Sequence, residues 1–280
     1  MRQPTVIRQK VAPTRGVLRT SAGDPGRSRH RRYHPSPDLA ELVEHYWSVE
    51  WDFRGRAPER VEILPHPCVH LTFDRHDGAR VMGVTRGKFT RELSGQGGVF
   101  GVKFTPAGFY PFLGAPVSRV TDTSVGLRAV FGSAGDTLAR AIRASRTDAS
   151  RIALVEAFLR NCNPRPERTV VRVSALVFAA ANDGTILRVE DLAARAGMTP
   201  RTLQRLFVKY VGVTPKWVIR RYRLHEAAER LAGGAVGQAA LALSLGYSDQ
   251  AHFIRDFKAV VGTSPAAYAR KSWQDNGLRA

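Results

Sequence analysis

Between Ile186 and Pro265 the chain carries one punctuated pattern twice, which commits it to building the same local structure two times. The first copy reads Leu192-Ala-Ala-Arg-Ala-Gly197-Met-Thr-Pro-Arg-Thr-Leu203-Gln-Arg-Leu-Phe207 and then Gly212-Val-Thr-Pro215. The second reads Leu241-Ala-Leu-Ser-Leu-Gly246-Tyr-Ser-Asp-Gln-Ala-His-Phe253-Ile-Arg-Asp-Phe257 and then Gly262-Thr-Ser-Pro265. The left halves superpose at an offset of 49 and the right halves at 50, so the second copy has one more residue in its turn. A glycine after a helical stretch takes the left-handed conformation of a sharp exit, which is expected of Gly197 and Gly246. Thr199 and Ser248 then stand where a hydroxyl accepts from the free N–H groups of the next helix, and Pro200 suits the first helical position. Leu203, Leu206, Phe207 and Tyr210 recur at i, i+3, i+4 and i+7, a stripe that packs on the preceding helix. Arg201, Gln204, Arg205 and Lys209 share the opposite, free face. Helix, turn, helix is predicted twice.

Pro215 opens a further helix, about Trp217 to Leu231, with Val218, Ile219, Tyr222 and Leu231 apolar and Arg220, Arg221, Arg223 and Arg230 basic. It spans roughly 25 Å at about 1.5 Å per residue. With the width of the units it joins, it can set the two second helices about 34 Å apart, one turn of B-form DNA, so that both enter successive major grooves. A single chain of this kind is expected to be able to read a bipartite site. Charge points the same way independently. Of the net +19, residues 1–32 hold nine basic residues against one acidic, residues 33–167 seventeen against fifteen, and residues 168–280 seventeen against eight. The middle is nearly neutral, and the C-terminal excess fits a surface that faces phosphates.

Residues from about Ser174 to Arg270 resemble the DNA-binding domain of the AraC/XylS family of bacterial transcription regulators. The resemblance lies in both turns, in the Gly-x-Thr/Ser-Pro ends of both units and in the phrase Gly246-Tyr-Ser-Asp-Gln-Ala-His-Phe-Ile-Arg-Asp-Phe257. It covers about a third of the chain. One run departs from the family: Gly233-Gly234-Ala-Val-Gly237-Gln238-Ala-Ala240 replaces the usual Ile or Val and acidic residue near 238 and 240, and its glycines cost helix propensity. The free faces and the family's contact positions together assign base reading to Arg201, Gln204 and Arg205 in the first unit and to Gln250, His252 and Arg255 in the second. Arginine can bridge guanine O6 and N7, and glutamine can bridge adenine N6 and N7. Phosphate contact is expected of Lys209, Lys216, Arg220 and Lys258, the alternative being solvated helix faces.

Residues 1–32 show no sustained period and few large apolar residues, so a disordered basic tail is expected; an arm adding non-specific DNA affinity, a targeting peptide and a misplaced start are the other readings. From Tyr33 to about Phe131 the pattern turns to short β-rich runs: 45–53, 61–64, 68–73, 79–84, 88–93 and 99–104. Such lengths suit an antiparallel sheet or small barrel, a scaffold that often encloses a ligand. Glu44-His-Tyr-Trp47, Ile63-Leu-Pro-His66, Gly101-Val-Lys-Phe-Thr-Pro-Ala-Gly108 and Val120-Thr-Asp122 resemble an N-terminal domain of unassigned function found in a subset of AraC-like regulators. The resemblance implies small-molecule sensing or dimerisation. Trp47, Trp51, Phe104, Phe109 and Tyr110 are candidates to line an apolar pocket, or else ordinary core. His66, Cys68 and His70 alternate and would share a face on a straight strand, a weak candidate for Zn²⁺ or Cu⁺ against the bland reading of a buried cysteine between Pro65 and Pro67.

Residues 134–163 return to helical spacing, and Asn161-Cys-Asn-Pro-Arg-Pro-Glu-Arg168 reads as a linker. The expected architecture is α+β and multidomain. It comprises a tail at 1–32, a β-rich antiparallel sensor-like or dimerisation domain at 33–131, a helical segment and linker at 132–167, and a tail at 273–280. Between these last two, residues 168–272 make an all-α domain of two helix-turn-helix units joined by a linking helix. Residues 168–280 are expected to fold and bind DNA alone, since each apolar stripe there has a partner there. Two cysteines exclude a disulfide framework, and no run reaches the ~20 apolar residues of a membrane span, so a soluble cytoplasmic protein is expected. No nucleophile–base pair or phosphate-binding glycine loop suggests an enzyme, and no cofactor is called for. A DNA alkyl-repair enzyme with an AraC-like domain would need four zinc-binding cysteines. An architectural DNA binder whose N-terminal domain only dimerises is the other alternative. The expected partners are double-stranded DNA, a small-molecule effector, a second copy of the chain and, for an activator, RNA polymerase.

Overall fold

The computed structural model describes residues 17–19, 28–165, 167–234 and 237–277; the rest of the expected N-terminal tail lies outside them. The N-terminal half holds nine strands among the described residues: β1 Val17–Arg19, β2 Ser28–Tyr33, β3 Val43–Phe53, β4 Glu59–Ile63, β5 His70–Asp74, β6 Gly78–Met82, β7 Phe89–Leu93, β8 Gly95–Phe104 and β9 Ser124–Gly126. They pair as a six-stranded sheet in the order β2-β3-β8-β5-β6-β9 and a three-stranded sheet β1-β4-β7. Every pairing is antiparallel, which is the sheet the alternating runs predict. Residues 28–32 are not tail, however. They run beside β3 from Ser28↔Trp51 to Tyr33↔Tyr46.

The long central strands β3 and β8 divide the interior. Tyr46 and Ser48 face helices, where the Ser48 hydroxyl donates to Asp148 at 2.7 Å and the Tyr46 hydroxyl to Glu156 at 3.4 Å. The alternate residues Trp47, Val49, Trp51 and Phe53 face the small sheet and pack with Val61 and Leu93. Gly97 and Gly101 stand opposite Trp51 and Trp47 in register, and a Cβ on either would lie 2.2 Å from the indole ring. The indoles lie flat on β8 only because those residues have no side chain.

Ten helices follow among the described residues: α1 Tyr110–Leu113, α2 Leu127–Ala144, α3 Asp148–Asn161, α4 Arg168–Asn182, α5 Val189–Ala196, α6 Pro200–Tyr210, α7 Pro215–Gly233, α8 Gln238–Ser244, α9 Gln250–Val261 and α10 Pro265–Gly277. None is long and apolar enough to cross a membrane. Helix α2 starts at 127, inside the expected β-rich segment, and breaks at Gly132 (φ 60°, ψ −145°), so the sequence reading found only its second part. Its Leu138 and Ile142, with Ile152, Val155 and Leu159 of α3, cover the face of the large sheet that carries Val102 and Phe104. Helix α10 runs to Gly277, into the expected C-terminal tail.

The two halves share their interior. One cluster of buried apolar side chains passes from Leu39, Phe104 and Val117 through Val173 and Leu192 to Phe207 and Tyr222. Leu64, wholly buried, belongs to a second cluster with Leu224, Leu241, Phe253 and Phe257. The apolar stripe of α7 finds partners within 168–280, Leu241, Phe253 and Phe257 among them, but not there alone. Part of its cover comes from the segment between β4 and β5.

Candidate nucleic-acid interface

Each second helix of the repeat is placed by the same local chemistry. Helix α5 ends at Gly197 in the left-handed region (φ 60°, ψ 40°), where its N–H returns to the carbonyls of Ala193 and Ala194. Thr199 caps α6 by accepting from the Thr202 N–H at 3.3 Å, and Pro200 takes the first turn. In the second unit Gly246 is again left-handed (φ 73°). The cap is not Ser248 as the sequence reading placed it. Asp249 accepts from the His252 N–H at 2.7 Å, while Ser248 donates its hydroxyl to Asp249. The extra residue of the second turn moves the cap one position on, so that Asp249 stands at the offset of 50 from Thr199.

Once placed, both helices bury one stripe. Leu203 and Phe207 of α6 and Phe253 and Phe257 of α9 are wholly inaccessible, and Leu241 and Leu192 of the preceding helices meet them in their clusters. Arg201, Gln204, Arg205 and Lys209 on α6, and Gln250, His252, Arg255 and Lys258 on α9, are all exposed. Each helix therefore offers a polar, mainly basic face with hydrogen-bond donors of the kind that reach base edges and phosphates. His252 is the most constrained of the set. Its ring stands edge-on to Tyr247 at 5.2 Å and close to the Ser248 hydroxyl.

The four expected phosphate contacts divide. Lys216, at the start of α7, and Lys258, on α9, are exposed. Lys209 is exposed too, but its ammonium lies 5.1 Å from the Tyr110 ring and 5.0 Å from that of Tyr210, at the seam with the N-terminal half. Arg220 is engaged elsewhere: both arms of its guanidinium donate to Asp256 of α9, Nε at 2.7 Å, and the Tyr247 hydroxyl donates to the same carboxylate at 2.9 Å. This bidentate pair ties α7 to α9 and takes Arg220 out of the set of unengaged cations. Nothing in the sequence pairs Arg220 with a residue 36 positions away. Arg221, beside it, is 2 % exposed. It lies 4.5 Å over the Trp217 ring and donates to the carbonyls of Arg86 and Gly87. Burial, with the charge of Arg220, pushes its pKa down to about 10.

The aromatic set proposed for a pocket does not converge. Trp47 and Trp51 lie between the two sheets, whereas Phe104 and Phe109 are packed at 5.0 Å in the main core on the opposite face of the large sheet. The Tyr110 ring lies tilted against that of Tyr210 of α6, with centroids 4.2 Å apart. A cleft of about 260 Å³ opens instead between β2 and α3, beside Arg31, Tyr33 and Arg151. Another of about 220 Å³ lies against Phe73, Phe100 and Ile142. His66, Cys68 and His70 also fail to share a face, because only His70 belongs to a strand and the two prolines carry the others through an irregular segment. The His66 ring meets His225 and Tyr222 of α7 at 4.6 and 5.8 Å, His70 meets Trp47, and burial raises the Cys68 thiol to about 12. No group of three or more potential metal ligands occurs among the described residues.

Comparison with known proteins agrees with the two halves of the fold. Residues 192–271 match a helix-turn-helix domain family, and residues 31–126 match a domain of unknown function (DUF6597). The HTH-type transcriptional activator AarP of Providencia stuartii is 37% identical over 93 residues, 33% of this chain and 69% of that protein. The transposon Tn10 TetD protein of Escherichia coli is 34% identical over 111 residues, 39% of this chain and 80% of that one. An AraC-like transcription regulator of Streptomyces antibioticus is 32% identical over 36% of this chain and 33% of its own length. Among solved structures, the C-terminal domain of AraT, a response regulator from Geobacillus stearothermophilus, superposes with a TM-score of 0.34 at 24% identity, covering 38% of this chain and 88% of that one. ToxT from Vibrio cholerae superposes at 0.35 with 11% identity, covering 86% and 97%; both scores are too low to say more about this chain. With two relatives covered over more than two thirds of their length, and with the duplicated unit folded as its sequence requires, the chain belongs to the AraC/XylS family of helix-turn-helix transcription regulators.

Proposed function

We propose that the protein binds DNA sequence-specifically at a bipartite site, inserting α6 and α9 into two successive major grooves. One observation carries the reading: two helices, each entered from a left-handed glycine and capped by a side chain, stand on either side of one linking helix, each with an exposed polar face. Arg201, Gln204 and Arg205 are assigned to base edges in one groove and Gln250, His252 and Arg255 in the other. Lys209, Lys216 and Lys258 are assigned to phosphates. The N-terminal half is assigned a regulatory role, through a small molecule or through pairing of protomers. The clefts between the large sheet and α2 and α3 support the first. The protein would act in the cytoplasm, and an activating role would add RNA polymerase to its partners.

In vitro selection of bound DNA with full-length protein, repeated with Arg201→Ala and Gln204→Ala, tests the assignment. Each variant should relax preference at one or two base pairs, at a cost of about 1–3 kcal/mol for the lost pair. Uniform weakening over all sequences would move the residue to the phosphate set. For Lys216 and Lys258, loss of a true phosphate contact lowers the salt slope of log K by about 0.9.

A further inference from the structure

The N-terminal half touches the DNA-reading half at the ends of both reading helices, by way of two loops. One loop, residues 83–88, joins β6 to β7; the other, residues 117–123, opens with a 3-10 turn at Val117–Val120 and precedes β9. The Thr121 hydroxyl donates at 2.8 Å to the carbonyl of Gly212, just beyond α6. The Lys88 ammonium donates at 3.1 Å to the carbonyl of Val261, the last residue of α9. Gly212 and Gly262 are equivalent positions of the repeat. Both are left-handed (φ 92° and 88°), and a Cβ would lie 2.7 Å from the Thr121 hydroxyl at the first and 3.1 Å from the Lys88 ammonium at the second. A third contact falls between these two, where Arg221 of α7 donates to the Arg86 carbonyl.

The loops are also fastened to each other. Asp122, left-handed at φ 57°, accepts from the Arg86 N–H at 2.7 Å and from its guanidinium, and donates its own N–H to Val84 at 2.9 Å. Gly83 passes so close to the second loop that a Cβ there would overlap the Val120 carbonyl. Helix C-termini carry unsatisfied carbonyls and the negative end of the helix dipole, so a hydroxyl at one and an ammonium at the other are favourable anchors. Lys88 is itself held by Glu62 at 3.1 Å.

We propose that these loops form a bracket, with Thr121, Lys88, Arg86 and Asp122 as positioning residues, that fixes α6 and α9 relative to each other and so sets the half-site spacing the protein accepts. The proposal rests on the two-groove reading above. Without the bracket the two units are joined through α7, its pair with Asp256 and the approach of Leu187 to Gly246, and the angle between them has more freedom. A spacer change of one base pair turns one half-site by roughly 35° and shifts it by roughly 3.4 Å relative to the other. A bracketed reader cannot follow that change; an unbracketed one can.

The test uses full-length protein, its selected DNA site, and the same site with one base pair added or removed between the halves. Wild type should lose at least about tenfold in affinity when the spacing changes. The double variant Thr121→Val/Lys88→Met, and separately Arg86→Ala, should lose less than about threefold, with circular dichroism unchanged. Folded variants that keep the full tenfold penalty overturn the bracket, as does a variant with a lower melting temperature and an unchanged penalty. A wild type that binds equally at every spacing, or at one half-site alone, overturns the two-groove reading itself, a result distinguishable because it appears before any residue is changed.

Discussion

Asp256 does more for the DNA-reading half than its place on an exposed helix suggests, since it holds Arg220 with both oxygens and accepts from Tyr247 as well. Removing it leaves a half-buried guanidinium and a buried phenol without their acceptor, a loss of roughly 1–3 kcal/mol. Asp256→Ala should lower the denaturant midpoint of the full-length protein accordingly, while Asp256→Asn, which keeps one acceptor oxygen, should lose less. Glu44 makes a prediction in pH. Burial alone would raise its pKa, but hydrogen bonds and charge from His45 and Lys103 outweigh it, and the carboxyl falls from its ordinary 4.5 to about 2. A folded-state pKa below the unfolded one stabilises fully above pH 4.5 and is lost as pH falls toward 2. The stability advantage of wild type over Glu44→Gln should therefore shrink across that interval. A difference that stays constant down to pH 2 would show that Glu44 gains nothing from its partners.

Among the elements, the caps give the sharpest comparison. Asp249→Ala should lower the melting temperature measurably and Ser248→Ala much less, reversing the order expected from the hydroxyl of the first unit. Equal losses would return the cap to Ser248. The first unit was fully legible because its glycine, threonine and proline stand at the positions that geometry demands. In the second, Ser248 and Asp249 are both good caps, and only the change of offset from 49 to 50 separates them. Strand β2 was hidden for another reason. Ser28–Tyr33 reads as Ser-Arg-His-Arg-Arg-Tyr, with no apolar alternation, because it is an edge strand whose support is β3 and ion pairs such as Arg31–Glu50. The alternation of His66, Cys68 and His70 misled in the opposite sense, since two prolines turned an apparent strand face into a loop that reaches α7. The exposed polar faces needed nothing from the tertiary fold to be located, because a helix that buries Leu203 and Phe207 must turn Arg201, Gln204 and Arg205 outward.

At the scale of the whole molecule, the seam between the halves left no mark in the sequence, as contacts made by single loops carry no period. Leu64 in one cluster with Leu224, the Ser174 hydroxyl of α4 accepting from the Ala107 N–H at 3.2 Å and donating to the Thr105 hydroxyl at 3.5 Å, and Arg221 donating to the Arg86 carbonyl all lie on it. The fragment 168–280 should accordingly fold as helix by circular dichroism, yet unfold at a lower temperature than the full chain and with a broader transition. A fragment as stable as the full-length protein would mean that the seam contributes little. Trp217 gives the seam an optical consequence. The chain has four tryptophans, and this one carries on its ring face the guanidinium that the N-terminal loop holds by its other side. Whatever draws the halves apart moves a cation relative to that indole and admits water to it, so the emission of the native protein should shift to the red before any helix is lost. The molecule is thus labelled by its own sequence at the joint where its two halves meet.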